Sequence, residues 1–326
     1  MSVSATGAGV HGGTRGASAA PAALAAALAA RGARPRPDEP LARHTSFRIG
    51  GPADLLVVVE SGRELADVLG VCHAHGAPVL FLGGGTNLLV SDRGVRGVVV
   101  KLGKSFDFVE WDLDDLDVRG ARLRVGAAVP LKRLVHQTVA AGLAGLEFAE
   151  GIPGTVGGGL LMNAGAFGGE IGAVVGALEV VTAEGAVRTL ARTELAFDYR
   201  RLTLPTRAIV AAVRLQLRRG EPATLAAAVA DARGRRERHQ PRGYPNAGSI
   251  FKNPSGEHAG RLIEAAGLKG ARLGGAMISE RHANFIVNLG GARAADVAGL
   301  MGLAGRAVRE RFGVALEPEI RLVGEW

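Results

Sequence analysis

Pro78-Val79-Leu80-Phe81-Leu82-Gly83-Gly84-Gly85-Thr86-Asn87-Leu88-Leu89 is an apolar run that empties into three successive glycines. An apolar run without polar alternation predicts a strand over residues 78–82 that is covered on both faces. Residues 55–59 read the same way. Between the two, Ser61-Gly62-Arg63-Glu64 has the spacing of a capping box, and Leu65, Val68, Leu69 and Cys72 recur at helical intervals up to Gly76. Residues 98–102 close a unit of strand, helix and strand around a covered sheet. The glycines can present backbone N–H groups to an anion without side chains in the way. Gly83, Gly84, Gly85, Thr86, Asn87 and Leu88 are therefore a candidate phosphate cradle, with a plain turn as the competing reading. The pattern is neither the Gly-x-Gly-x-x-Gly of a Rossmann turn nor a Walker loop.

Working outward, residues 106–111 and 123–125 begin a second unit, and Pro130 opens a helix that ends near Gly142. A second glycine-rich element follows, Gly151-Ile152-Pro153-Gly154-Thr155-Val156-Gly157-Gly158-Gly159, running on through Asn163, Ala164 and Gly165. So much glycine with so little charge does not suit a solvated linker. A flat ligand against bare backbone would explain it, with Gly151, Gly154, Thr155, Gly157, Gly158, Asn163, Ala164 and Gly165 as its bed. A tight helix contact plus turns is the alternative. Strands are expected at 174–182 and 208–217, the latter with Ile209, Ala211, Val213, Leu215 and Leu217 on one face. Between them Tyr199 precedes Arg200, an aromatic and a guanidinium that suit a carboxylate, although a surface Arg is the default.

From Glu221 the composition shifts to Ala and Arg, which predicts a domain boundary and a basic helix up to Gln240. Then comes Asn246-Ala247-Gly248-Ser249-Ile250-Phe251-Lys252-Asn253-Pro254, where a hydroxyl, an amide and an ammonium sit among small residues. Ser249 is either the working hydroxyl or an ordinary turn serine. Ser255 is positioned to cap a helix over 256–266 that Gly267 ends, and residues 292–312 carry a helical apolar stripe. In residues 314–323, period two places Glu317, Glu319 and Arg321 on one face, and Pro318 requires an edge or a bulge.

Composition narrows the class. The chain has 326 residues, 47% of them hydrophobic, enough for a substantial core divided among two or three domains. Gly at 49 residues without a Gly-X-Y period excludes collagen and implies many tight turns. The net charge of +8 is densest at Arg233, Arg235, Arg236 and Arg238, but interleaved aromatics are few, so a polyanionic small molecule is favoured and no nucleic acid is expected. Cys72 is the only cysteine. It reads as a core thiol beside surface histidines, with no disulfide and no metal site. Residues 1–20 read as a disordered tail, and residues 19–30 as a short amphipathic helix through Leu24 and Leu28 rather than a signal segment. No run is long enough to span a membrane.

Together these motifs, from about Leu41 to Arg321, resemble the UDP-N-acetylenolpyruvoylglucosamine reductases, also called UDP-N-acetylmuramate dehydrogenases, of bacterial cell-wall synthesis. The resemblance implies an α+β fold: a two-part FAD-binding domain of the vanillyl-alcohol-oxidase type, plus a C-terminal α/β substrate-binding domain. The parts would be residues 21–103, 104–220 and 221–326. It implies that residues 83–89 and 151–165 hold FAD, that NADPH reduces it and leaves, and that UDP-N-acetylglucosamine enolpyruvate then takes the hydride. Arg200 and Glu319 match the pair at the substrate carboxyl group, and Ser249 matches the proton donor. Tyr199, Lys252, Asn253, Lys269 and His282 fall where the family contacts the nucleotide sugar. The family is cytoplasmic, and a monomer is expected. Phe167 stands where Tyr is usual, and Arg201-Leu202 follows Arg200 where a small hydroxyl residue is commoner. The chain resembles the shorter subtype, without an extra segment between its second and third domains.

Overall fold

The computed structural model describes residues 21–117, 120–182, 185–204 and 208–326. The tail expected over residues 1–20 lies outside the described residues. α1 (Pro21–Ala29) buries Leu24 and Leu28, one turn apart, as the amphipathic reading required. The first sheet draws on β1 (Arg36–Pro40), β2 (Pro52–Val59), β3 (Val79–Phe81) and β5 (Val95–Leu102), ordered β1-β2-β5-β3, while β4 (Leu88–Val90) stands apart. β5 runs parallel to both β2 and β3.

The crossover is α2 (Gly62–Ala74). Ser61 Oγ accepts the Glu64 N–H at 3.1 Å, and the Glu64 carboxylate accepts the N–H of Glu60 at 2.7 Å, which ties the helix entry to the end of β2. Leu55, Val57, Val59, Val98 and Val100 pack on α1 and α2, whereas Leu56 and Val99 face the other way onto Leu41, Leu80 and Leu82. That double burial is why these strands read as unbroken apolar runs.

The second unit comprises β6 (Val109–Asp117), β7 (Gly120–Gly126), α3 (Leu131–Ala140), β8 (Leu143–Ala144), α4 (Val156–Leu161), β9 (Gly165–Ala166), β10 (Gly169–Glu170), β11 (Val175–Thr182), β12 (Val187–Ala191), β13 (Ala196–Asp198), β14 (Arg201–Thr203) and β15 (Ala208–Arg219). Its antiparallel sheet is ordered β12-β11-β15-β7-β6. The single-face expectation for residues 209–217 is corrected here. The register of β11 against β15 shifts where Glu179 and Val180 face Ala212 and Val210, passing over Ala211. Side chains change face across such a bulge. Val210 therefore joins Val213, Leu215 and Leu217 in the second core, and Ile209 and Ala211 pack on the first.

α5 (Pro222–His239) follows, with Val229 in the second core. The last unit holds α6 (Ala259–Ala265), the antiparallel meander β16 (Arg272–Leu273), β17 (Ala276–Ile278) and β18 (Ile286–Asn288), and α7 (Ala294–Phe312). α6 starts three residues later than expected, because Gly256 sits at φ +74° and interrupts the chain there. Asn253 Oδ1, not Ser255, accepts the Ala259 N–H at 3.1 Å. The core of this unit includes Phe47, Ile49 and Leu89 from the first. Only β19 (Arg321–Val323) of residues 314–323 is strand, and it pairs in parallel with β4. Pro318 makes a single bridge to Phe251, and the Glu317 and Glu319 side chains that flank it are 70% and 15% exposed. Among the described residues no helix is long and apolar enough to cross a membrane.

Candidate active site

Two short backbone segments form the frame. Glu319 donates its N–H to the Ile250 carbonyl at 2.8 Å, and Lys252 donates to the Glu317 carbonyl at 2.9 Å. Buried Asn284 locks this arrangement, accepting the Phe251 N–H at 2.9 Å and donating to the Phe251 carbonyl at 2.8 Å. Gly248, at φ +77°, turns the chain into the frame. Ser249 is thus one residue from the carbonyl that anchors Glu319.

Arg200 comes to the same place from the second unit. It occupies the turn between β13 and β14 at φ +59°, a left-handed conformation that costs about 1 kcal/mol or more for a non-glycine residue. The turn is held by fully buried Asn163, whose amide donates to the Asp198 carbonyl at 3.0 Å and accepts from the Gly172 N–H at 3.1 Å. Arg200 Nε then lies 2.9 Å from Glu319 Oε1, with its guanidinium carbon 4.9 Å from the Tyr199 ring centre. Burial raises the Glu319 pKa above its ordinary value, and the charge and hydrogen bond of Arg200 offset only part of that rise.

The glycine loops close against one another and against this frame. A Cβ on Gly84 would stand 2.8 Å from the Gly154 Cα, and one on Gly83 would stand 2.9 Å from Thr155 Oγ. Thr86 Oγ donates to the Pro153 carbonyl at 3.2 Å. Ser46 donates through Oγ to the Asn246 carbonyl at 2.7 Å and through its N–H to the Gly85 carbonyl at 3.1 Å. Asn87 donates to the Glu319 carbonyl at 3.0 Å.

The second glycine element contains the tight helix contact that was its alternative reading. Gly157 is a tight helix contact, since a Cβ there would meet Ala127 Cβ at 2.9 Å, and the N–H groups of Val156 and Gly157 are spent on the Val129 and Ala127 carbonyls. The first loop is different. Among the described residues no protein acceptor takes the N–H groups of Gly83, Gly84, Gly85, Thr86 and Asn87. A run of free donors in a cradle that a Cβ would fill fits the diphosphate of FAD. Gly165 adjoins Arg200, as a Cβ there would lie 3.3 Å from Nη1.

The other expected substrate contacts are more dispersed. Lys252 Nζ lies 2.5 Å from Glu317 Oε1, Lys269 Nζ lies 2.7 Å from Glu264 Oε1, and Asn253 serves the start of α6. His282 packs against Phe285 with ring centres 4.9 Å apart; burial first, then the charge of Lys269, lowers its pKa. The frame brings Arg200, Tyr199, Asn87, Glu319 and the Ser249 backbone together, and sets Lys269 and His282 near each other in the last unit.

One group escaped the sequence reading. Glu150, 2% exposed, takes Arg233 Nε at 3.0 Å and His136 Nε2 at 2.9 Å on its carboxylate, and Arg236 Nε at 2.7 Å on its carbonyl. The basic run of α5 is therefore turned partly toward the second glycine loop. The spacing of Arg233 and Arg236, three residues apart on one helical face, was the available signal.

A family model described as "FAD binding domain" matches residues 53–191, and fold and site together define the class: an α+β flavin-dependent oxidoreductase with a separate C-terminal domain. A second model, "UDP-N-acetylenolpyruvoylglucosamine reductase, C-terminal domain", matches residues 240–323. UDP-N-acetylenolpyruvoylglucosamine reductase 2 of Symbiobacterium thermophilum is 50% identical over 292 residues, covering 89% of this chain and 92% of that one. The reductase of Anaeromyxobacter dehalogenans is 49% identical over 289 residues, covering 89% and 85%. The crystal structure of the Thermus caldophilus reductase superposes with a TM-score of 0.75 at 41% identity, over 89% of this chain and 99% of that one. The chain belongs to the UDP-N-acetylenolpyruvoylglucosamine reductase family.

Proposed function

We propose that the chain reduces UDP-N-acetylglucosamine enolpyruvate to UDP-N-acetylmuramate for peptidoglycan precursor synthesis, with FAD as cofactor and NADPH as reductant. The observation that carries this reading is the 2.9 Å contact of Arg200 with Glu319, beside a backbone frame that carries Ser249. Residues 83–87 would hold the FAD diphosphate, and the loop at 151–165 would bed the ring system. When bound, the flavin supplies the hydride that adds to the enolpyruvyl methylene carbon.

The chain's own residues make that addition feasible. The electron pair of the substrate double bond moves toward the carboxylate, and Arg200 stabilises the charge that accumulates there. Glu319, held toward its neutral form by burial, donates a hydrogen bond to the same carboxylate instead of repelling it. Ser249 gives its hydroxyl proton to the carbon next to the methylene and recovers one through water or Lys252. Tyr199, Asn253, Lys269 and His282 are assigned to the nucleotide sugar. Arg200, Ser249 and Glu319 all come from one chain, which supports a monomer as the working unit. The cytoplasm, which supplies NADPH and the nucleotide sugar, is the compartment this reading implies.

The test is anaerobic. The purified holoenzyme should bleach at the flavin bands with NADPH and recover when the enolpyruvyl nucleotide sugar is added. Recovery with oxygen alone would point to an oxidase, and a protein that takes up no FAD would remove the argument at its base.

A further inference from the structure

We propose that Arg236 is a second receptor for the substrate carboxylate, acting beside Arg200 at the β9–β10 hairpin. The inference rests on the reaction assigned above and adds a specificity-determining residue to it. Gly165, in β9, adjoins Arg200: a Cβ there would lie 3.3 Å from Nη1. Phe167, at the tip of the same hairpin, has its ring centre 5.3 Å from the Arg236 guanidinium carbon. Arg236 and Arg200 therefore both adjoin the β9–β10 hairpin.

Charge accounting then asks for an anion. The carboxylate of Glu150 is already engaged by Arg233 and His136, and Arg236 reaches only the Glu150 main-chain carbonyl, at 2.7 Å. Among the described residues Arg236 has no carboxylate within ion-pair distance. It is half-buried, and burial pushes its pKa down; the charge of Glu150 opposes that shift in part, and the like charge of Arg200 adds to it. Arg200 and Arg236 carry two positive charges, and Glu319, held toward its neutral form by burial, offsets little of them. The pair calls for an anion, and the enolpyruvyl carboxylate is the anion that the reaction brings to Arg200. The stem of Arg236 is fixed for this purpose, since a Cβ on Gly151 would meet its Cδ at 2.7 Å.

The test compares two ligands that differ in the carboxylate. UDP-N-acetylglucosamine and its enolpyruvyl ether are titrated against oxidised, FAD-loaded enzyme, read by flavin absorbance, for wild type, Arg236→Met and Arg236→Lys. A partly desolvated ionic hydrogen bond predicts that Arg236→Met loses affinity for the enolpyruvyl ligand by about 10- to 100-fold. Affinity for UDP-N-acetylglucosamine should stay within about threefold, and the Lys variant should keep part of the discrimination. Equal losses for both ligands would place Arg236 on the diphosphate or in a merely structural role, and no loss would dismiss it; either overturns the proposal. Should Arg236→Met fail to load FAD, Arg236→Gln, which can keep a donor to the Glu150 carbonyl, carries the same test. Failure of the reaction assignment is separate: wild-type flavin, once reduced, would then not be reoxidised by the enolpyruvyl ligand.

Discussion

Glu319 is held in an environment that opposes its ionisation, and that has a signed consequence. Its native pKa is raised, so the neutral form persists to higher pH than in the unfolded chain, where the ordinary value is 4.5. As pH rises through the raised value the group ionises, pairs fully with Arg200, and meets the substrate carboxylate as a like charge. The rate of flavin reoxidation by the enolpyruvyl substrate should fall across that interval, while Glu319→Gln should be slower but flat there; stopped-flow profiles of both proteins decide it. The same residue also lowers stability as pH rises from 4.5 to the raised value, because the folded state binds the proton more tightly. Ser249→Ala separates the half-reactions. Bleaching by NADPH should survive, and reoxidation should slow by about 10²- to 10⁴-fold, the usual contribution of a positioned acid; normal turnover would remove Ser249 as the donor. The meeting of Arg200 with Glu319 was legible through the family motifs and not through residue type, by which Arg200 read as a surface Arg. Asn284 was not, since only the fold shows both of its amide atoms bonded to Phe251.

Helices and loops here are terminated by groups far away in sequence. α7 begins with the N–H groups of Ala294 and Ala295 bonded to the two carboxylate oxygens of Asp92, at 2.8 and 3.0 Å. Asp92→Ala should therefore cost about 1–2 kcal/mol, as the loss of an N-terminal cap does, and Asp92→Asn less, both measured by urea unfolding. At the glycine loops the limit is steric: Gly84→Ala would set a Cβ 2.8 Å from the Gly154 Cα, two backbones with no flexible side chain between them. That variant should purify with little FAD, judged by the ratio of flavin to protein absorbance, and full loading would show that the loops open without penalty. Strands over residues 55–59, 78–82 and 98–102 were readable because burial on both faces leaves an unmistakable apolar run. The phase change in β15 and the short β19 were not. A bulge is set by the partner strand, and β19 pairs with β4, more than two hundred residues earlier.

Across the whole molecule the third core is completed by the first unit, and this is what places Ser249 and Glu319 against the glycine loop at residues 83–87. Phe47, Ile49 and Leu89 are each at most 2% exposed among residues of the last unit, and Asn288 donates to the Phe47 carbonyl at 3.0 Å. Composition alone suggested a boundary at Glu221, because a shift to Ala and Arg is local, whereas the filling of a core by a segment two hundred residues upstream leaves no local trace. A fragment of residues 240–326, the span that includes the C-terminal family match at 240–323, would lack those three side chains, the β4 partner of β19 and the Asp92 cap of α7. Each missing large apolar residue leaves a hole worth about 2–5 kcal/mol, and a few such holes exceed the whole stability of a domain this small. The fragment is expected to show no cooperative thermal transition by circular dichroism. In the full chain Phe47→Ala should destabilise by about 3–5 kcal/mol and weaken FAD retention as well, because Ser46 beside it ties Gly85 to Asn246. A fragment that melted cooperatively, or a Phe47→Ala protein that lost stability but held FAD as tightly as wild type, would show that the last unit and the cradle are built independently.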